Sequence, residues 1–276
     1  MATTASGWDK NAAHYEAIVG RLAWPLARGI VSRVGSLASF ESPDARVFDN
    51  GCGTGIVART IRECYPYVPI MATDVSAGMV AELQRKIEDD GLENITAQVE
   101  DATTLAGLPD DSFTHTLALA MIGSTPDPQK VMNEMFRVTK PGGVLGLGSW
   151  VGHCWKNLIE PTVHRALGTP EFEAPVMVDP STGSVDAIRS LLVHAGWNII
   201  EIKQQKAPFL WKDKQELLDF FFDREHPNPI GGRMLHGLED EIDRLRPVMD
   251  QVIEETWPNP ADMYETAILA FARKKA

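Results

Sequence analysis

The stretch Arg46–Thr60, RVFDNGCGTGIVART, decides how the rest of the chain is read. A short apolar run ends in Asp49, glycines follow at Gly51, Gly53 and Gly55, and a helix-compatible segment starts at once. Glycine loses more backbone freedom on folding than any other residue, so alternating glycines weaken a regular element. Their use is to let the backbone approach a ligand closely, beside the free N–H groups of a helix start. The reading is strand, ligand loop, helix. The bland alternative is a tight glycine turn that holds nothing.

Working outward, the runs PIMATD, ITAQVE, FTHTLALA and GGVLGLGSW alternate with stretches of helical period, such as Met79, Val80, Leu83 and Ile87, then Val131, Met135 and Val138. Apolar strands alternating with helices imply a parallel sheet covered on both faces. A helix is expected to end near Val138, with Pro141-Gly142-Gly143 turning the chain into the next strand. Before the sheet, Trp8, Ala12, Tyr15, Ile18 and Leu22 fall on one helical face. After Trp150 the alternation is interrupted twice. Between the interruptions a helix over Val185 to Ala195 and a strand over Asn198 to Lys206 resume the sheet, and ETAILAFARK is the last strand. In the second interruption, Asp213 with Glu216 reads as a capping box, and Leu235, Leu238, Ile242 and Leu245 read as one amphipathic helix. The expected division is 1–150 (N-terminal helices and core), 151–183 (cap insertion), 184–206 (core), 207–262 (helical cap) and 263–276 (last strand).

With 276 residues, 44% hydrophobic and 23% charged, the chain has an ordinary globular composition and enough length for one large core. A formal net charge of −12 disfavours nucleic acid and anionic membrane surfaces as partners. No apolar run approaches the ~20 residues of a membrane span, and the opening residues MATTASGWDK read as no secretory leader. Three cysteines without C-x-x-C spacing (Cys52, Cys64, Cys154) read as reduced thiols in the cytoplasm. Cys52, inside the glycine loop, is either a small filler residue or an exposed, oxidisable thiol.

The dinucleotide fingerprint G-x-G-x-x-G needs a glycine three beyond Gly53, where Ile56 stands. The spacing present, with Asp49 in front, resembles the first motif of class I S-adenosylmethionine (SAM) dependent methyltransferases. TDVSAGM (Thr73 to Met79) resembles that family's second-strand motif, EDATTL around Asp101 its third-strand acid, and FTHTLALAMIGSTPDPQKVMNEMFRVTKPGGVL its fourth strand, helix and turn. WDKNAAHYE resembles the Tyr-bearing helix of the ubiquinone-biosynthesis-type subgroup. The layout also resembles fungal tailoring methyltransferases of secondary metabolism, thiol-methylating ones included.

The resemblance implies a Rossmann-like, doubly wound α/β sheet of seven strands, the last antiparallel, with a helical cap from the two insertions. It implies SAM as cofactor. Asp74 would take the ribose diol, Asp101 and the Ala102 backbone the adenine, and Asp49 with the Gly51 backbone the methionyl amino end. Cys52, Gly53, Gly55, Val75, Met79, Leu119 and Ala120 would line the cofactor, and Tyr15 would close over it. The chemistry agrees: SAM is zwitterionic, without a phosphate, so its site needs carboxylates for hydroxyls and amines. The bland alternatives are a helix cap for Asp74, a loop carboxylate for Asp101 and a core residue for Tyr15.

Two departures from the family pattern stand out, the first being Phe113-Thr114 where strand four often begins Phe-Asp. The fourth strand ends LALAMIG where nucleobase and amine methylating members carry Asn/Asp-Pro-Pro-aromatic, and no acid cluster there suits Mg²⁺. Transfer to S or O of an apolar small-molecule metabolite is favoured over N, with no metal. A base is needed only for an acceptor that is protonated at working pH. Of His153, His164, His226 and His236, the expected catalytic residue is His153, because it follows the fifth strand at the sheet's carboxyl edge. Trp150, Trp155, Phe209, Trp211 and Phe221 either wall the acceptor pocket or form the cap's own core. Two other classes stand beside this one: a SAM-fold protein that binds SAM without transfer, as regulator or rearrangement enzyme, and an NAD-dependent dehydrogenase. Oligomeric state is not legible.

Overall fold

The computed structural model of the chain describes residues 9, 12, 20–152, 154–175, 178–223, 229–259 and 262–276. Seven segments become strands: β1 (Val47–Asn50), β2 (Ile70–Asp74), β3 (Ile95–Val99), β4 (Phe113–Leu119), β5 (Thr139–Trp150), β6 (Asn198–Pro208) and β7 (Tyr264–Arg273). They form one sheet in the order β3-β2-β1-β4-β5-β7-β6. β1 pairs in parallel with β2 and β4, and β4 with β5, whereas β7 runs antiparallel to both neighbours. The expected doubly wound sheet with an antiparallel last strand is therefore present. The chain winds outward from β1 in one direction and returns through β4 in the other, so the carboxyl ends of β1 and β4 flank the switch point where such sheets bind ligands.

Helices α1 (Arg21–Leu37), α2 (Ile56–Cys64) and α3 (Ala77–Asp89) cover one face through Ile30, Ile61 and Leu83. α4 (Pro128–Val138) and α6 (Val185–His194) cover the other through Met132, Met135, Ile188 and Leu192. Glycines in β5 set the first of these contacts. A Cβ on Gly146 would lie 2.6 Å from Val34 Cγ2, and one on Gly148 3.0 Å from Ile30 Cδ1, so α1 sits directly on the strand.

The second interruption and α5 (Cys154–Leu167) build a separate helical layer with α7 (Lys214–Phe222), α8 (Pro229–Met234) and α9 (Ile242–Thr256). Its centre is aromatic. Trp155 stacks on Phe220 with centroids 5.0 Å apart and meets Phe209 at 4.7 Å. The layer is tied to the sheet by Glu265 at the start of β7, whose carboxylate accepts from Cys154 N (3.1 Å) and Thr266 N (2.7 Å).

Three local expectations are corrected. Leu235 to Leu245 is not one helix: α8 ends at Met234, the chain turns through Gly237 at φ +80°, and α9 begins at Ile242. A residue with positive φ interrupts a right-handed helix whatever its neighbours' spacing. Pairing on β5 starts before the Pro-Gly-Gly turn, at Thr139. The register then jumps from Phe113↔Thr139 to His115↔Val144, so Lys140 to Gly143 bulge out, where Gly142 N–H and Gly143 C=O bond Lys274. In the expected capping box, Asp213 does accept from Glu216 N (2.9 Å), but Glu216 reaches back to Lys212 N (2.7 Å), one residue earlier than the box requires.

Towards the amino ends of the strands, away from the glycine loop, His115 on β4 is buried against Phe40, ring centroids 4.4 Å apart. Its Nε2 lies 3.0 Å from Ala38 O and so carries the proton, leaving Nδ1 to accept from Thr114 Oγ1 at 2.7 Å. Burial holds its pKa below 6.5, with the Ala38 bond opposing. The folded state thus prefers neutral imidazole. Stability from this group is complete above pH 6.5 and is lost as pH falls through the folded pKa. Unfolding free energy measured between pH 5 and 7 is expected to fall more steeply with acid in the wild type than in His115→Gln; parallel curves contradict this.

Candidate active site

The glycine loop hangs from the carboxyl end of β1 with Gly51, Gly53 and Gly55 at φ +67°, +52° and +88°. Two of these positions also admit no side chain: a Cβ on Gly51 would lie 2.5 Å from Met121 Cγ, and one on Gly55 2.3 Å from Leu83 Cδ1. Cys52 N donates to Thr73 O at 2.9 Å, binding the loop to β2. Cys52 is buried, and burial with the nearby Asp49 and Asp74 charges raises its thiol pKa well above the usual value. It is a protonated filler, not an exposed thiol.

Asp74 closes the loop from the next strand. Its Oδ2 accepts from Gly53 N and its Oδ1 from Ser76 N, both at 2.9 Å. The helix cap is Ser76, whose Oγ accepts from Met79 N (3.1 Å), so Asp74 is not engaged as a cap. Burial raises its pKa, opposed by the N–H groups of Ser76, Gly53 and Val75. Asp49 points the other way, into the start of α2. One oxygen accepts from Ala58 N at 3.1 Å, and Oδ1 has no partner among the described residues. Burial pushes Asp49 up to about 7, the Ala58 bond pulling down and the Asp74 charge adding to the rise.

Around this pair the structure gathers Met79, buried under the β2–α3 turn, and Val75, 52% exposed beside Asp74. Leu119 ends β4 and Ala120 follows it, at a strained φ of +62° for a residue with a Cβ. Asp101 lies on the loop after β3, its Oδ1 held by Thr103 N (2.8 Å) and Thr103 Oγ1 (2.7 Å), and Ala102 packs against the α4 face. Trp150, partly buried, packs on the sheet core. Trp155, Phe209, Trp211 and Phe221 are all buried, packed on one another inside the helical layer. His164 bonds Phe172 O at 2.8 Å, and His236 lies 3.3 Å from Glu239. Tyr15, His153 and His226 lie outside the described residues.

Sequence reading overlooked three polar residues close to this pair. Asp9 reaches the site from the N-terminal segment, accepting from Ser76 Oγ (2.6 Å) and Gly78 N (2.9 Å), bonds that hold its pKa below the usual value. Asn50 and Thr73 are buried polar residues near the carboxyl ends of β1 and β2. Their signal was a polar residue at the end of an otherwise apolar strand.

The site's polar groups are carboxylates, which accept from an ammonium or hydroxyls, and backbone N–H groups, which donate to hydroxyl or ring acceptors. Residues 47–143, β1 through the start of β5, match the methyltransferase domain family. Over those residues the chain carries a SAM-dependent methyltransferase domain. This methyltransferase is 24% identical over 240 residues to Methyltransferase ucsB of an Acremonium species, covering 82% of this chain and 80% of the relative. It is 24% identical over 187 residues to the acetylaranotin bis-thiomethyltransferase of Aspergillus terreus, covering 64% of this chain and 63% of that one. Its fold is similar to Haemonchus contortus Phospholethanolamine N-methyltransferase 2, solved with phosphomonomethylethanolamine and S-adenosylhomocysteine, at TM-score 0.58 and 17% identity, covering 97% of this chain and 58% of that one. The enzyme's cofactor is SAM. Among the described residues no helix is long and apolar enough to cross a membrane, and no cluster of three His, Cys, Asp or Glu side chains would hold a metal.

Proposed function

We propose that this methyltransferase transfers the methyl group of SAM to a sulfur or oxygen atom of an apolar small-molecule metabolite. When bound, SAM supplies an electrophilic methyl on a sulfonium, so the protein's work is to hold the acceptor in line and keep water out. Asp74 takes the ribose hydroxyls, Asp101 and the Ala102 N–H the adenine, Val75 the apolar face of the ring, and Asp49 with the Gly51 backbone the methionyl ammonium. The helical layer from 151–183 and 207–262 chooses the acceptor.

The observation that carries the S or O preference is the end of β4. Leu119, Ala120 and Met121 bring no polar side chain there to hold the N–H groups of an amine. The relative named as a bis-thiomethyltransferase supports sulfur, and relatives from Acremonium and Aspergillus support a tailoring role in secondary metabolism. The test is methyl transfer from radiolabelled SAM to a panel of apolar thiols, phenols, carboxylic acids and amines. Label in thiol or oxygen products is expected; label only in amines contradicts the proposal.

Asp49 makes binding pH-dependent. Its carboxyl is largely protonated below about pH 7 in the free enzyme, while the cofactor's ammonium attracts only the ionised form. Affinity for S-adenosylhomocysteine is expected to rise by up to about tenfold per pH unit below that pKa and to level off above it. Binding near pH 6.5 should release a proton, readable as a buffer-dependent heat. The same raised pKa means the free fold loses stability as pH climbs from 3.8 through about 7. Asp49→Asn should flatten both profiles; an unchanged affinity profile contradicts the assignment.

A further inference from the structure

Asn50 ends β1 between Asp49 and Gly51, is 1% exposed, and has neither Nδ2 nor Oδ1 hydrogen-bonded among the described residues. Thr73 is its register partner on β2, fully buried, and its Oγ1 is also unpartnered. Three orphaned polar atoms on adjacent strands are unusual, since burying each without a partner costs about 1–3 kcal/mol. An aliphatic residue would avoid that penalty at both positions.

Strand alternation fixes where they lie. Asp49 faces α2, on the side of the ammonium. Asn50 shares the opposite face with Phe48, and Thr73 shares it with Met71, in the cluster with Leu105 and Leu108. Ala102 packs on that side of the sheet too, with Ala118 and Ile122. The carboxyl end of the sheet is thereby divided: a carboxylate on one face, an uncharged amide and hydroxyl on the other. A carboxamide offers both donors and an acceptor without charge. That matches a neutral heteroaromatic ring with nitrogen acceptors and an amino donor, and does not match an amino acid's ions.

We propose that Asn50 and Thr73 form an uncharged polar subsite that receives the adenosyl end of the cofactor, directly or through one fixed water. This rests on the cofactor placement proposed above and adds residues to it. The orphaned atoms gain their partners when the ligand arrives, so the pair weakens the free fold and strengthens the complex.

The test compares wild type, Asn50→Leu and the isosteric Thr73→Val in calorimetric titrations with S-adenosylhomocysteine and with 5′-methylthioadenosine, which keeps the adenosyl group and lacks the amino acid. Melting temperatures of the ligand-free proteins are read in parallel. Both variants are expected to melt at or above the wild-type temperature and to bind both ligands more weakly by the same factor, about tenfold for Asn50→Leu. Unchanged affinity for both ligands overturns the proposal, whatever the melting temperatures. Weakening for S-adenosylhomocysteine alone also overturns it, because the amide then serves the amino-acid end. Wild-type protein that binds neither ligand is a failure of the cofactor placement itself, seen before any variant is compared.

Discussion

Asp74→Ala is expected to weaken SAM binding by about 100-fold or more while leaving the sheet folded. Its carboxylate has two jobs on one turn. It holds Gly53 N–H and Ser76 N–H at 2.9 Å, which fixes the glycine loop against β2. Its remaining acceptor positions face the place proposed for the ribose diol. Hydrogen bonds to a charged group contribute about 1.5–3 kcal/mol each. Losing two from the ligand amounts to roughly 3–6 kcal/mol, and 1.4 kcal/mol is a tenfold change in affinity. Asp74→Asn is the informative companion. The amide keeps the shape but turns an NH₂ towards one of the two backbone donors, so it should recover little affinity. Titration with S-adenosylhomocysteine reads the loss, and circular dichroism confirms the fold. Binding by Asp74→Ala within threefold of wild type would remove Asp74 from the cofactor site.

Trp155→Ala is expected to destabilise the protein by about 3–5 kcal/mol, the range for removing a large aromatic from a packed interior. Trp155 is 6% exposed and lies between Phe220, Phe209 and Phe221, with centroids 5.0, 4.7 and 5.5 Å away. Removing it opens a cavity lined by rings from α7 and the segment after β6. The loss should appear as a lower urea midpoint, with affinity for S-adenosylhomocysteine changed far less, because the glycine loop belongs to a different cluster. An unchanged midpoint with a collapse in kcat/KM for the acceptor would instead make Trp155 a wall of the acceptor pocket.

That alternative marks where sequence reading stopped. The glycine loop, the strands and the sheet's direction were legible because each has its own local signature: paired backbone demands at Gly51 to Gly55, apolar runs for buried strands, helical period between them. The cap aromatics have no such signature. A ring that fills a core and a ring that lines a pocket are chosen for the same property, so composition could announce an aromatic layer around Trp155 without saying what it encloses. Gly237 was overlooked for a related reason. Leu235 to Leu245 keeps helical spacing across it, and only the backbone conformation reveals the break. Asp9 needed the tertiary fold, since nothing local connects it to Ser76, 67 residues away. Asp74 was legible as an acid at a strand end, but its two backbone bonds to loop and turn were not.

The central claim is that the carboxyl ends of β1 and β2 hold an adenosyl sulfonium cofactor through carboxylates and a glycine loop. Calorimetric titration of the folded wild-type protein with S-adenosylhomocysteine, SAM and NADH tests it most directly. Saturable binding of both adenosyl ligands, strengthening from pH 6 to pH 8, with no heat from NADH, is the expected result. A folded protein that binds NADH, or that gives no saturable heat with either adenosyl ligand, would contradict it.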